Sequence, residues 1–340
     1  VMCAYDRAAM LTGSPANSLC TPEDPGSFSY LPSDLDGFTN PPAGADNYVL
    51  ALGDDQLLFW TVDIDWATPS GLFTGPTPLS VAAFTKECQA YYRNACIPQG
   101  GSTTKLESLG DRPMFRLPYR NFGDHESLVL SHSINTGGEI SGIRWYEIRD
   151  PGGTPTIYQS GTYSPDSRYR WMGSMAMDRV GNMAVGYSVS DSSIDPSIWY
   201  TGRLATDPLN EFAQSEEVIQ NGTGSQTDGL QRWGDYSSMS VDPSDDCTFW
   251  FTTEYYETTG SFDFNTRICS FKLADCGGPP PGCTTDAECQ NGSFCDGAET
   301  CNVDTGTCEP GTPPDPDDGI ACTDDSCNET TDTIDNLPND

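Results

Sequence analysis

The sequence predicts an all-β protein: a β-propeller body followed by a small disulfide-rich segment. Three observations carry this. Short alternating strand patterns recur along the chain between turn-forming residues. The chain carries 34 glycines and 26 prolines, a turn-rich composition that favours many short strands over long helices. Fourteen cysteines occur without a single C-x-x-C spacing, which points to disulfides in an oxidising compartment rather than to zinc.

The strands read in order. Tyr48–Leu52 and Leu57–Val62 flank Gly53-Asp54-Asp55, a hairpin turn. Ser127–His132 precedes a glycine-rich turn and Gly142–Ile148. Met183–Ser188 precedes Ser197–Tyr200, and Thr248–Thr252 precedes Thr266–Phe271. A polar motif recurs ahead of three of these units, as Tyr119-Arg120-Asn121, Tyr169-Arg170-Trp171 and Gln231-Arg232-Trp233. A repeat of 50–60 residues with up to four strands suits one propeller blade. A blade cannot bury both of its faces alone, so blades must stack. A β-sandwich is the alternative, but it would not require the same motif to recur. About five units are expected within residues 1–276, and six or seven in a parent propeller whose first blades precede Val1. Both ends read as cuts from a longer precursor. Helix is confined to a short turn capped by Asp6 and a segment over 81–88.

The boundaries are expected at 1–276 for the body, 277–282 for a Pro/Gly linker and 283–340 for an acidic cysteine-rich tail. The tail has no Lys or Arg. Net charge is −34, so nucleic acid is a poor partner, and no apolar run is long enough to span a bilayer. Extracellular location follows from the cysteines. Local pairing is expected for Cys3 with Cys20 and for Cys88 with Cys96. Cys247 is expected to bond Cys269 across neighbouring strands. Cys276 and the seven tail cysteines allow too many connectivities to assign.

Several segments resemble a group of large secreted bacterial proteins with sialidase-like β-propeller repeats. They are Ala4–Leu11, Gly123–Val129, Pro165–Asp178, Asp191–Tyr200, Arg232–Pro243 and Cys247–Tyr256. The tail segments Phe294–Cys301 and Asp318–Cys327 resemble cysteine-rich repeats appended to such proteins, which often have a further Cys where this chain has Ile334. The resemblance implies fold and location but no reaction.

Asp124 and Asp235, in Gly-Asp-His and Gly-Asp-Tyr, are expected at equivalent places near a central channel, with Asp34 and Asp36 as a third case. Gathered carboxylates repel unless an arginine or a cation such as Ca²⁺ neutralises them. Arg120, Arg170 and Arg232 supply the arginines and would staple adjacent blades. A sialidase-like site would draw on those arginines, on Tyr169 and Glu126 as a nucleophile pair and on Asp235 as acid. His125 and His132 lie at an odd spacing that sets them on opposite strand faces, against a shared metal site. In the tail, Asp315, Asp317, Asp318, Asp324 and Asp325 cluster hard oxygen ligands suited to Ca²⁺, though not at EF-hand spacing. The leading expectation is an extracellular or cell-surface interaction or structural protein. Its propeller would be a binding scaffold for a glycan or another protein, and its tail a spacer or self-association element. Trp60, Trp66 and Trp145 are contact candidates. The rival is a glycan-processing hydrolase of sialidase-like type.

Overall fold

The computed structural model describes residues 1–21, 29–68, 70–89, 95–274, 276, 283, 285–290, 293–302, 307–319, 323–329, 331 and 333–338. The chain divides into two compact units, Val1–Cys276 and Gly277–Asp340.

The first unit opens with a hairpin of β1 (Cys3–Tyr5) and β2 (Ser18–Cys20) around the short helix α1 (Arg7–Leu11). Asp6 caps that helix by accepting a hydrogen bond from Ala9 N. Next come β3 (Leu31–Leu35), β4 (Asn47–Leu52), β5 (Gln56–Asp65) and β6 (Ser70–Ser80), an antiparallel meander. Then follow β7 (Thr85–Lys86), β8 (Ala95–Gln99) and β9 (Ser102–Glu107). The segment expected to be helical over 81–88 holds strand β7 instead, which pairs with Ile134 and Asn135. A second meander comprises β10 (Leu117–Asn121), β11 (Glu126–Asn135), β12 (Ser141–Arg149) and β13 (Thr156–Tyr163). The third comprises β14 (Tyr169–Met177), β15 (Met183–Asp191), β16 (Ile194–Arg203) and β17 (Glu217–Gln220). The fourth has three strands, β18 (Ser238–Val241), β19 (Phe249–Tyr255) and β20 (Asn265–Phe271). The first strands of the first two meanders, β3 and β10, run parallel and fuse both into one sheet.

This succession of antiparallel meanders is the arrangement of a β-propeller, and the side chains show why the blades stack. Successive strand residues point to opposite faces. On β11, Leu128 and Leu130 enter the core with Leu50, Phe59 and Tyr146, whereas Val129 enters the next core with Met175, Val185 and Tyr187. On β15, Val185 and Val189 face back toward the second meander, while Ala184 joins Met239, Phe249 and Phe251 of the fourth. Inner strands are therefore apolar on both faces, and each such buried side chain contributes roughly 1.5–3 kcal/mol. At Gly186 a Cβ would lie 2.6 Å from the Phe251 ring, so glycine is what lets the third and fourth meanders close.

Hydroxyls stitch neighbouring inner strands. Ser237 Oγ donates to Met172 O at 2.6 Å, and Met239 N donates to Ser174 Oγ at 2.9 Å. Those serines and methionines follow the Tyr169–Trp171 and Gln231–Trp233 motifs closely in the chain, so the two units meet across the blade interface just beyond them. Trp60 and Trp145 are buried and Trp66 is half-buried, so the first two are core residues rather than contact points.

Cys3 bonds Cys20, and Cys88 bonds Cys96. Cys247 bonds Cys276 and not Cys269, which is a free thiol. The register explains the correction. Cys269 lies opposite Phe251, four residues beyond Cys247, an offset of about 13 Å along the strand. A disulfide needs Cα atoms within about 7 Å. Cys247 instead sits past the strand end, where the chain leaving β20 returns.

The second unit holds two hairpins, β21 (Thr300–Asn302) with β22 (Thr307–Glu309) and β23 (Thr323–Asn328) with β24 (Thr333–Pro338). Its described disulfides are Cys283–Cys301, Cys289–Cys308 and Cys295–Cys327. Ile334 faces Cys327 across the last hairpin. Cys327 bonds Cys295. Cys322 lies outside the described residues. No helix among the described residues is long and apolar enough to cross a membrane.

Candidate functional site

The sequence-selected residues do not converge on one centre. Arg120 is buried and donates to both Asp246 carboxylate oxygens at 2.6 Å and to Met177 O at 3.1 Å. Arg170 is buried and bonds Glu216 and Asp166. Glu126 accepts from the Tyr119 hydroxyl, so its tyrosine partner is not Tyr169, which packs beside Trp171 and Trp233. Asp124 is exposed in the β10–β11 turn and bonds its neighbour His125, at 2.7 Å.

Asp124 and Asp235 are therefore not equivalent. Asp124 follows the first strand of its meander, whereas Asp235 precedes β18. The motifs look alike, but the chain enters its strand at a different residue in each. Asp34 and Asp36 do meet, sharing Arg116 at 2.6 and 2.7 Å. Burial pushes the Asp34 carboxyl up despite that arginine, with Asp36 adding repulsion.

Asp235 and Arg232 line a cavity of about 250 Å³ between the 221–237 segment, which joins the third meander to the fourth, and the 256–264 loop of the fourth. The loops are zipped together by Thr227 N to Gly260 O at 2.9 Å and Gly260 N to Ser225 O at 3.1 Å. Gln99 anchors them from β8, exchanging side-chain hydrogen bonds with the Gln226 backbone. Trp233 is the plug beneath: it is buried, its indole N–H reaches Ser188 Oγ at 3.0 Å, and its ring stacks with Tyr256. Beyond Trp233 the chain turns through Gly234 and Asp235, both in the left-handed region (φ 66° and 65°), and this presents Asp235 to the cavity.

Arg232 bridges two carboxylates, Glu107 at 3.0 Å and Asp235. Glu254, on β19, lines the same cavity and accepts a hydrogen bond from the Gly234 backbone. Burial raises its carboxyl to about 7, against that hydrogen bond and with help from the Glu107 charge. Phe262 and Phe264, about half exposed, and Tyr256 supply aromatic walls. The cavity thus pairs an acid that holds its proton near neutrality with a carboxylate fixed by an arginine. That is the division of labour of a general acid and its partner carboxylate.

Sequence reasoning selects Asp235 and Arg232 and misses Glu254, Glu107 and the two phenylalanines. The one trace of Glu254 is its position in a strand whose neighbours, Thr253 and Tyr255, point into the core.

In the tail, ligand oxygens of Asp317, Asp318 and Asp325 lie within 4.8 Å of one another. Asp315 stands outside that group, bonding Asp317 N at 3.1 Å. The Asp324 side chain lies outside what the structure describes.

No family model matches the chain, and no curated protein matches it. Among solved structures, the chain is similar to the xylan β-1,4-xylosidase of Bacillus halodurans C-125, with 11% identity and a TM-score of 0.36. The match covers 82% of this chain and 47% of that one, so this chain spans under half the xylosidase's length. It is also similar to the α-L-arabinofuranosidase Arb93A of Fusarium graminearum, solved with an iminosugar inhibitor. There the identity is 8% and the TM-score 0.29, over 68% of this chain and 73% of that one. At these scores neither likeness assigns an activity.

The raised Glu254 carboxyl has a consequence for stability. Its folded value of about 7 lies above the ordinary 4.5, so its contribution is complete below pH 4.5 and is lost as pH rises through 7. Glu87, raised to about 8 by burial, acts in the same direction. Glu254→Gln is expected to flatten, without abolishing, the fall in melting temperature between pH 4.5 and 7. A wild-type slope retained in the variant contradicts the assignment.

Proposed function

We propose that this is an extracellular, glycan-directed protein that binds a sugar in the cavity of Asp235 and Glu254 and hydrolyses its glycosidic bond. One observation carries the reading: a carboxyl protonated near neutrality and an arginine-held carboxylate line one cavity flanked by exposed aromatic rings. Phenylalanine faces suit the apolar C–H surface of a pyranose, and a few convergent polar groups orient it. Glu254 gives its proton to the departing glycosidic oxygen. Asp235 either takes a proton from the attacking water or attacks the anomeric carbon itself, and water completes the cleavage in both cases. The disulfides of both units support an oxidising, extracellular setting.

Binding without cleavage, as an interaction scaffold, is the second reading. It is favoured by the saturation of Arg120 and Arg170, which leaves neither free for a substrate carboxylate. For the tail we propose Ca²⁺ between Asp317, Asp318 and Asp325, whose mutual repulsion a cation would relieve.

Glycan-array binding combined with aryl-glycoside hydrolysis tests the first reading. Glu254→Gln is expected to keep glycan binding and lose about 100-fold or more in turnover. Binding with no turnover in the wild type selects the scaffold, and absence of any glycan binding overturns both. For the tail, adding Ca²⁺ to chelator-treated protein is expected to raise the melting temperature. No rise, or an equal rise in Asp317→Asn, contradicts the calcium site.

A further inference from the structure

A second pocket lies between the second and third meanders, at the ends of β12, β13 and β16, with a volume of about 160 Å³. Its floor is polar and fully desolvated. Glu147 is 1% exposed and already holds Ser127 Oγ at 2.8 Å, Arg149 Nε at 2.6 Å and Gln159 Nε2 at 2.5 Å. Its two oxygens already accept three hydrogen bonds, which leaves little acceptor capacity for a ligand.

Arg203 differs. It is 2% exposed, and it donates through one terminal nitrogen to the carbonyls of Asp207 and Pro208 at 2.8 and 3.5 Å. Its Nε is buried with no partner, and among the described residues it makes no ion pair. Burial pulls its pKa below the ordinary value. The charges of Glu147 and Asp207 act against that shift, but neither carboxylate hydrogen-bonds the guanidinium, so its buried Nε–H carries an unrepaid desolvation cost. Arg149, 29% exposed at the side chain, spends Nε on Glu147 and lies flat over the Tyr158 ring, leaving its terminal nitrogens to the pocket.

The unmet donors select the ligand. The buried Nε–H of Arg203 and the terminal nitrogens of Arg149 offer donors and no acceptor, which suits a carboxylate. The walls are apolar: Phe122, Tyr158, Val180 and Leu209. They exceed what an inorganic ion needs and suit a small organic body.

We propose that this pocket binds a small organic carboxylate, held by the guanidiniums of Arg203 and Arg149. A carboxylate accepts from such forks in bidentate fashion, and the apolar walls take its body. The site is separate from the Asp235–Glu254 cavity and does not depend on its reading.

Calorimetric titration of the whole chain with benzoate and D-glucuronate, against the uncharged benzamide and D-glucose, tests this. At least one carboxylate is expected to bind about tenfold or more tightly than its neutral counterpart. That binding should weaken with added salt and fall by a similar factor in Arg203→Gln and in Arg149→Gln. If Arg203→Gln does not fold, the more exposed Arg149→Gln carries the test. Failure of both carboxylates to bind overturns the proposal, as does equal binding of the neutral counterparts or unchanged affinity in the arginine variants.

Discussion

Four meanders converge on one guanidinium. Arg120 ends the first strand of the second meander, and its three donor nitrogens reach Met177 O in the third and both oxygens of Asp246 in the fourth. The first meander meets the same group at Gly37, where a Cβ would lie 2.5 Å from an Arg120 terminal nitrogen and where φ is +86°. Removing these charges from water is costly, and the geometry repays it only because the bidentate pair and the carbonyl satisfy the fork. A hydrophobic contact at this point would hold the sheets together without fixing which atoms meet. The ion pair does fix them, and the serine hydroxyl stitches along β14 and β18 extend that registration outward.

Both proposed sites inherit their geometry from this registration. The Asp235–Glu254 cavity hangs from Trp233, buried against Trp171 of the third meander, and from Ser237, tied to Met172. The carboxylate pocket needs the ends of β12 and β13 to face the end of β16, which the shared core of Val129, Trp145, Val185 and Tyr187 imposes. One lies at the approach to β18 and the other beside the β14–β15 turn, so they use different loops of one stacked frame.

Much of the frame is legible in the sequence because it rests on local patterns. Alternating strands, turn glycines, the Asp6 cap and cysteine pairs at short separation all declare themselves within a few residues. What sequence reasoning misreads depends on register and on distant partners. Cys247 and Cys269 look like cross-strand neighbours until the ladder sets Phe251 opposite Cys269. Asp124 and Asp235 sit in matching tripeptides, yet one trails its strand and the other leads into it. Glu254 becomes an acid because packing takes it out of water and Glu107 approaches from β9, against the hydrogen bond from Gly234. Arg203 sits at a strand end that no motif marks, and its unpartnered Nε is a property of the packed interface alone.

The central claim is that the Arg120–Asp246 pair locks the blades together. A double-mutant cycle in urea on Arg120→Met and Asp246→Leu tests it most directly. Each single variant is expected to lose about 3–5 kcal/mol, because each strands a buried charge. The double variant should lose much less than the sum, with a coupling of about 2 kcal/mol or more. Additive losses, with no coupling, would contradict the claim.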